Sequence, residues 1–192
     1  GHVTYFWNGN RSGKFRDELE TYVEIPSDNC PFDQRPWMKS AETTDQAIAA
    51  LQSGRYRFLR FNYAGGDMVG HTGNIAAATL AVESIDLGLA RLVRAARQTK
   101  ACLVVSADHG NADDMVQRDK QGNPVLEGNK PVLKTSHTLN PVPFIIADFA
   151  DARHQLRSDL PEAGLGNVAS TLLELLGYRA PEAYDPSLIV TD

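Results

Sequence analysis

The sequence predicts an α/β fold in which helices flank both faces of a mostly parallel sheet. Runs of β-branched and aromatic residues alternate with runs of helical periodicity along the 192-residue chain, and this alternation favours helices packed on a sheet. The run at 101–105 is continuously apolar, as in strands buried on both faces of a parallel sheet. The segment after Asn74 has apolar residues three and four positions apart, as in an amphipathic helix.

The first strand is expected at residues 3–7, where β-branched and aromatic residues precede the turn-forming pair Asn8 and Gly9. Residues 10–42 are polar and contain three prolines. We therefore expect a long connection here, with one short strand at Tyr22–Ile25.

The next part of the chain is predicted to form a helix and then a strand. Residues 43–45 offer side-chain caps to a helix at Gln46–Leu51, which Gly54 is expected to end. The strand is predicted at Tyr56–Tyr63, and a turn is predicted at Gly65–Gly66.

The remaining predicted elements continue the alternation. Asn74 is a good cap for the longest helix, the strand at 101–105 follows, and the polar segment 113–136 leads to a strand at Val142–Ala147. A further capped helix is predicted at Asn167–Leu176, and the next glycine ends it. The apolar positions that predict one buried stripe on the long helix are Val82, Ile85, Leu89, Leu92 and Ala96.

Composition and charge narrow the class of protein. The chain is 42% hydrophobic and 22% charged, as in ordinary soluble domains, and no apolar run approaches the roughly 20 residues of a membrane span. Its net charge of −5 argues against nucleic acid or an anionic membrane as the main partner. A disulfide between Cys30 and Cys102 and two reduced thiols are both open, with reduced thiols favoured. Since no signal peptide is recognised, a cytoplasmic location is expected.

The predicted sheet starts in mid-fold. Its first strand has no preceding helix, and the long polar connection follows at once. We therefore expect this chain to be a segment of a larger protein.

Three polar clusters lie at the ends of predicted strands, where open α/β sheets bind their ligands. They are Gly66–His71, Asp108–Asn111 and Thr135–Thr138. Each contains one of the chain's five histidines. The other two, His2 and His154, have nothing nearby in sequence that would complete a site.

The spacing within these clusters favours a metal site. Asp67 and His71 are four residues apart, so one helical turn can aim both at one point. Asp108 and His109 are adjacent at a strand end, where they can diverge to hold one ion and one neighbour. A surface pair and a simple turn are the alternatives for the two motifs taken singly. Carboxylate and imidazole ligands without thiolate suit Mn, Zn, Fe or Co.

Four segments resemble the cofactor-independent phosphoglycerate mutases of the alkaline phosphatase superfamily. They are His2–Gly9, Asn62–Asn74, Ser106–Ala112 and Ser136–Phe144. The resemblance extends over nearly all of the chain. It implies an alkaline-phosphatase-like α/β fold, incomplete in this chain, with residues 1–192 as the C-terminal part of a metal-binding phosphatase domain.

The resemblance also implies a reaction and a ligand set. Such enzymes are 2,3-bisphosphoglycerate-independent isomerases of glycolysis and gluconeogenesis that interconvert 3-phosphoglycerate and 2-phosphoglycerate through a phosphoserine. Two Mn²⁺ ions are implied, with Zn²⁺ or Co²⁺ as alternatives. Asp67, His71 and His137 would bind one ion, and Asp108 and His109 would bind the second.

The departures from the family pattern limit the activity that we expect of this chain. The nucleophilic serine, the aspartate beside it and the inserted transferase domain are not found in it, so no catalytic residue is assigned and the isolated chain is expected to be inactive. Hydroxyls near the motifs are expected only to orient the histidines: Thr72, Thr135, Ser136 and Thr138. The expected partners are phosphoglycerate and the remainder of the same polypeptide, with no nucleic acid and no membrane. Another enzyme of the superfamily, such as a phosphopentomutase or a phosphodiesterase, and a non-catalytic metal-binding module remain alternatives.

Overall fold

The fold combines helices with short antiparallel strand pairs. This computed structural model describes residues 3–150 and 154–190. Within those ranges there are four α-helices: α1 Ser40–Gln52, α2 Gly65–Gly70, α3 Ile75–Thr99 and α4 Val168–Leu175. The same ranges contain six strands: β1 Cys102–Ser106, β2 Leu126–Glu127, β3 Lys130–Pro131, β4 Phe144–Asp148, β5 Gln155–Leu156 and β6 Ile189–Val190. Two 3₁₀ helices lie at Phe6–Asn8 and Leu165–Asn167.

Helix α3 is the scaffold on which α1 and α2 pack. Asn74 begins it as predicted, because the Asn74 side chain accepts a hydrogen bond of 3.1 Å from the backbone N–H of Ala77. The buried face is made mostly of small residues: Ala77, Ala78, Ala81, Gly88, Leu92, Ala95 and Ala96. Of the predicted stripe, Leu92 and Ala96 are buried, whereas Val82 is exposed. Small side chains allow close helix approach, so the contact face centres on the alanines and leaves Val82 outside it.

Helices α1 and α3 meet at Gly88. The fully buried Thr44 hydroxyl donates to the Ser40 carbonyl at 2.7 Å and bonds the Tyr63 hydroxyl at 2.6 Å. A Cβ atom on Gly88 would lie 2.7 Å from the Thr44 hydroxyl oxygen and 3.1 Å from the Tyr63 hydroxyl oxygen. The hydrogen-bonded pair therefore occupies the space that a side chain at position 88 would need.

Strands β1 and β4 were predicted, but their pairing differs from the expectation. They run antiparallel, with Cys102 opposite Asp148 and Ser106 opposite Phe144, and every pairing among the described strands is antiparallel. A parallel pair requires a crossover connection, usually a helix. Residues 107–143 contain no helix and pass through the β2–β3 hairpin instead, so the chain returns in the opposite direction. Strand β1 is half-buried along its length rather than buried on both faces.

Three predicted strands are absent from the part of the chain that the structure describes. Residues 3–7 form a turn and a 3₁₀ helix, while 22–25 and 56–63 have no regular structure. The Arg60 guanidinium donates to the carbonyls of Val3 and Trp7, so a side chain takes the place of a strand partner. β-Propensity stabilises a strand only where a neighbouring strand is present to pair with it. The turn predicted at 65–66 was also wrong, because these residues begin α2.

The C-terminal helix was predicted almost correctly, but its cap was not. Gly177 follows the end of α4 in the left-handed conformation, with φ of 81°. The Asn167 side chain bonds the backbone of Gly164 and Pro186 rather than the N–H groups of α4. Both cysteine thiols are free, as favoured above. Of the helices in the described residues, none has the length and apolar character needed to cross a membrane.

We expect Gly88→Ala to destabilise the fold. The added methyl would collide with the Thr44–Tyr63 pair, and such overpacking costs about 1–3 kcal/mol. Gly66→Ala is the matched control, because Gly66 is also helical and a Cβ there meets nothing within 4 Å. Urea unfolding would measure both, and equal midpoints for the two variants would contradict this account of the α1–α3 contact.

Candidate metal centre

The first two site residues are placed by the short helix α2: Asp67 lies in it, and His71 directly follows its last residue. Val69 is fully buried and Gly65 packs closely against Ala81 of α3, which fixes one face of α2 against the scaffold. Asp67 and His71 lie on the accessible side, with side chains 29% and 41% exposed. Their Oδ1 and Nε2 atoms are 3.1 Å apart. The four-residue spacing therefore brings both to one point, as predicted.

His137 completes this group from the segment before β4. Its Nε2 atom lies 3.0 Å from Oδ1 of Asp67 and 3.2 Å from Nε2 of His71. Ligand atoms about 2.1 Å from a common ion lie about 3.0–3.4 Å apart when the bond angles are between about 90° and 109°. The donor set and its separations therefore fit one divalent cation, and the three residues form a possible metal-binding triad.

A backbone carbonyl sets the tautomer of His71. Nδ1 of His71 lies 2.5 Å from the carbonyl oxygen of Thr135. Because a carbonyl only accepts hydrogen bonds, Nδ1 carries the proton and Nε2 presents its lone pair to the triad. This is the arrangement that a metal-binding imidazole requires.

The role predicted for the hydroxyls is wrong for Thr72 and Thr138, whereas Thr135 does contact a histidine. Thr135 orients His71 through its backbone carbonyl. The Thr72 hydroxyl donates to the carbonyl of Val69, and the Thr138 hydroxyl donates to Asp113. The role predicted for Ser136 stays a prediction.

Asn111 also contacts the triad, and sequence reasoning gave it no role beyond membership of its cluster. Its Nδ2 atom donates to Oδ1 of Asp67 at 2.9 Å and lies 3.3 Å from the Asp67 carbonyl oxygen. Asn111 is buried, with 4% of its surface exposed. Its position directly after the Asp-His-Gly run was the only signal in the sequence.

Asp108 and His109 lie beside the triad, just after β1 as predicted. The His109 ring stacks on the His137 ring, with centroids 3.7 Å apart and planes 19° apart. Nε2 of His109 is 3.7 Å from Oδ1 of Asp108. Among the described residues, however, the one group of three potential ligands is Asp67, His71 and His137. The structure thus places His109 against the first site and Asp108 beside His109, without completing a second set of three ligands among the described residues.

Hydrogen bonds join the loop that carries His109 to the loop that carries His137. The N–H of Thr138 donates to the carbonyl of Gly110 at 2.8 Å. The Asp113 carboxylate accepts hydrogen bonds from the Thr138 hydroxyl at 3.0 Å and from the Asn140 amide at 2.6 Å. Partial burial would raise the pKa of Asp113, but the hydrogen bonds from Asn140, Thr138 and backbone N–H groups outweigh it and hold that pKa below its ordinary value.

Of the two remaining histidines, His154 takes no part in the triad. Nδ1 of His154 lies 2.7 Å from Oδ2 of Asp148, and both side chains are mostly buried. Asp148 is the last residue of β4 and Asp108 follows the last residue of β1, so antiparallel pairing puts them at opposite ends of the pair. His2 lies outside the described residues.

The family model and the similar proteins place this chain in the same family. The model of the Metalloenzyme superfamily matches residues 1–180. The chain is 55% identical to the 2,3-bisphosphoglycerate-independent phosphoglycerate mutase of Trypanosoma brucei brucei and 50% identical to mutase 1 of Arabidopsis thaliana. These alignments cover 98% of this chain and 35% and 34% of the relatives. The chain thus spans about a third of the length of the curated relatives it matches.

A solved structure supports the same family assignment. The chain superposes on a crystal structure of Leishmania mexicana phosphoglycerate mutase determined at low cobalt concentration, with a TM-score of 0.97 and 52% sequence identity. The superposition covers 100% of this chain and 35% of that one. The predicted α/β, alkaline-phosphatase-like class is therefore confirmed, with the antiparallel pairing described above as its correction.

We expect Asp113→Asn to lower the free energy of unfolding at neutral pH by about 0.5–1 kcal/mol, a figure already reduced for the exposure of this carboxylate. Because the folded pKa of Asp113 is lowered, the stabilisation is present above the ordinary value of 3.8 and is lost as the pH falls through the folded pKa. The difference between variant and unaltered chain should therefore shrink from pH 7 to pH 3.

Asp17→Asn is the control, since the Asp17 side chain is 93% exposed. Chemical denaturation at each pH would measure all three proteins. A deficit for Asp113→Asn that stays constant down to pH 3 would contradict the proposed hydrogen-bond network.

Proposed function

The chain belongs to the Metalloenzyme superfamily, and from that premise we propose that it is the C-terminal part of the phosphatase domain of a 2,3-bisphosphoglycerate-independent phosphoglycerate mutase. The proposed reaction interconverts 3-phosphoglycerate and 2-phosphoglycerate through a phosphoserine. One observation carries the proposal. Asp67, His71 and His137 converge with their ligand atoms 3.0–3.2 Å apart, in a chain whose relatives of 46–55% identity are such mutases.

The family and the triad indicate a divalent metal. We propose two ions, Mn²⁺ in the first instance, with Zn²⁺ and Co²⁺ as alternatives. Asp67, His71 and His137 would hold one, and Asp108 and His109 would contribute to the second. When bound, such ions offset charge on phosphoryl oxygens and lower the pKa of an attacking hydroxyl.

The residues of this chain have roles that follow from their contacts. The Thr135 carbonyl keeps a proton of His71 on Nδ1, so Nε2 is the nitrogen that would bind the ion. Asn111 fixes the Asp67 carboxylate. Stacking of His109 on His137 holds the two proposed sites side by side, as phosphoryl transfer with paired ions requires, because both the attacking and the leaving oxygen must be stabilised.

We further propose that the nucleophilic serine, the aspartate beside it and the transferase domain belong to other parts of the polypeptide. This chain covers 35% of the Trypanosoma relative, and Asp108 with His109 supplies only two ligands. The chain alone should therefore be inactive, and its main partners are phosphoglycerate and the remainder of its own polypeptide. A cytoplasmic location and the absence of nucleic-acid and membrane partners remain proposals that rest on the net charge of −5 and the reduced thiols.

The metal assignment predicts a Mn²⁺-dependent melting temperature that requires His71. At a Mn²⁺ concentration about 100 times the Kd, binding should stabilise the fold by about 2.7 kcal/mol, and His71→Ala should abolish most of that gain. His154→Ala is the control, since His154 pairs with Asp148 outside the triad and its loss should leave the Mn²⁺-induced rise unchanged. The same rise in His71→Ala as in the unaltered protein would refute the assignment.

The activity proposal is tested in the whole polypeptide that contains this chain. It should convert 3-phosphoglycerate to 2-phosphoglycerate in Mn²⁺, and His137→Ala should lower that rate at least tenfold because a ligand is lost. Turnover of pentose phosphates instead would indicate a phosphopentomutase. Metal binding without turnover of any phosphate ester would indicate a non-catalytic module. Mutase activity in the 192-residue chain alone would refute the assignment of the serine to another segment.

A further inference from the structure

Asn111 joins the two candidate metal sites physically. Its amide donates to Oδ1 of Asp67, the oxygen that both His71 and His137 face. Asn111 also lies two residues after His109, on the loop that carries the proposed ligands of the second ion. We propose that Asn111 is a positioning residue that fixes Asp67 for the first ion and couples that site to the loop of the second. The coupling rests on the proposed function; the positioning of Asp67 does not.

The orientation of the Asn111 amide follows from its partner. A carboxylate at neutral pH only accepts hydrogen bonds, so the atom 2.9 Å from Oδ1 of Asp67 is the amide nitrogen. The amide oxygen must then point away, and this buried atom has no hydrogen-bond partner in the described structure. Leaving a buried carbonyl oxygen unpaired is unfavourable. The asparagine is thus held in the orientation that serves Asp67 rather than in one that satisfies its own oxygen.

Gly70 makes room for this arrangement. A Cβ atom on Gly70 would lie 2.4 Å from Oδ1 and 2.9 Å from Cγ of Asn111. The Asn111 amide therefore sits directly against the backbone of α2, one residue before the ligand His71. Any side chain at position 70 would push the amide away from Asp67.

The contact has consequences for metal binding at Asp67. A carboxylate oxygen has two lone pairs, and the Asn111 amide occupies one while the other remains for the cation. The bond also fixes the Asp67 side chain in the conformation that faces both histidines. Asp108 and His109 lie on the same loop as Asn111. An ion that fixes the conformation of this loop therefore also stabilises the hydrogen bond from Asn111 to Asp67. Binding at either site should then strengthen binding at the other by the same factor.

The positioning role is tested by Mn²⁺ titration of the whole polypeptide. Asn111→Ala removes the donor, and Gly70→Ala displaces it while leaving Asn111 in place. Both should weaken the Mn²⁺ affinity of the Asp67 site roughly 10–100-fold. Gly66→Ala, in open space on the same helix, should leave the affinity unchanged.

Melting of the metal-free proteins separates positioning from plain structural support. We expect the Mn²⁺-induced rise in melting temperature to shrink in both variants by more than any change in the metal-free melting temperature. An unchanged Mn²⁺ affinity in Asn111→Ala would overturn the proposal. If Asn111→Ala does not fold, an unchanged affinity in Gly70→Ala overturns it in the same way.

The coupling is tested by a double-mutant cycle with Asp108→Ala. In the unaltered protein, Asp108→Ala should weaken Mn²⁺ binding at the Asp67 site. In the Asn111→Ala background it should have no further effect, and an equal effect in both backgrounds would overturn the coupling. Binding of a single Mn²⁺ by the unaltered protein would refute the two-ion function and the coupling together, while the affinity for that one ion would still decide the role of Asn111.

Discussion

The candidate centre depends on a single carboxylate oxygen, Oδ1 of Asp67. Two imidazole nitrogens and one amide nitrogen approach it within 3.1 Å. They come from three separate parts of the chain: the end of α2, the segment before β4 and the loop after β1. A carboxylate oxygen approached by two imidazole nitrogens and one amide N–H fits a cation, because a cation would compensate the charge of the carboxylate and bind the imidazole nitrogens.

The position of that oxygen is set by how the helices and strands pack. Helix α3 offers a face of alanines, so α2 can lie against it with Val69 fully buried and Gly65 in close contact. The Asn74 cap fixes where α3 begins. On the other side, the β1–β4 pair brings the loops of His109 and His137 together at one end of the sheet. The short helix that places Asp67 and His71 is thus positioned by tertiary contacts rather than by its own stability, since six residues are too few for a stable isolated helix.

Local signals in the sequence were sufficient to predict part of the fold and part of the candidate site. The spacing of Asp67 and His71 predicts their convergence because a helical turn fixes it, and the Asn74 cap follows from side-chain chemistry. The contacts of Asn111 and of the Thr135 carbonyl join residues 44 and 64 positions apart, and no local rule specifies such contacts. The strand predicted at 56–63 failed for the same reason. A strand needs a partner, and the partner is a property of the whole fold.

The hairpin between the two halves of the site has a consequence for how this protein can vary in length. The bond between Gly110 and Thr138 and the contact of Asp113 with Thr138 close the base of the loop that contains β2 and β3. A second closure lies further out, where Lys134 bonds the carbonyl of Met115. Residues beyond these closures are separated from the candidate ligands by two sets of hydrogen bonds, and lengthening a closed loop costs little free energy. Insertions and deletions at the tip, near Gly122 or Gly128, can therefore accumulate while His109 and His137 stay in register. The hairpin is therefore the part of the chain around the candidate site whose length can change most freely.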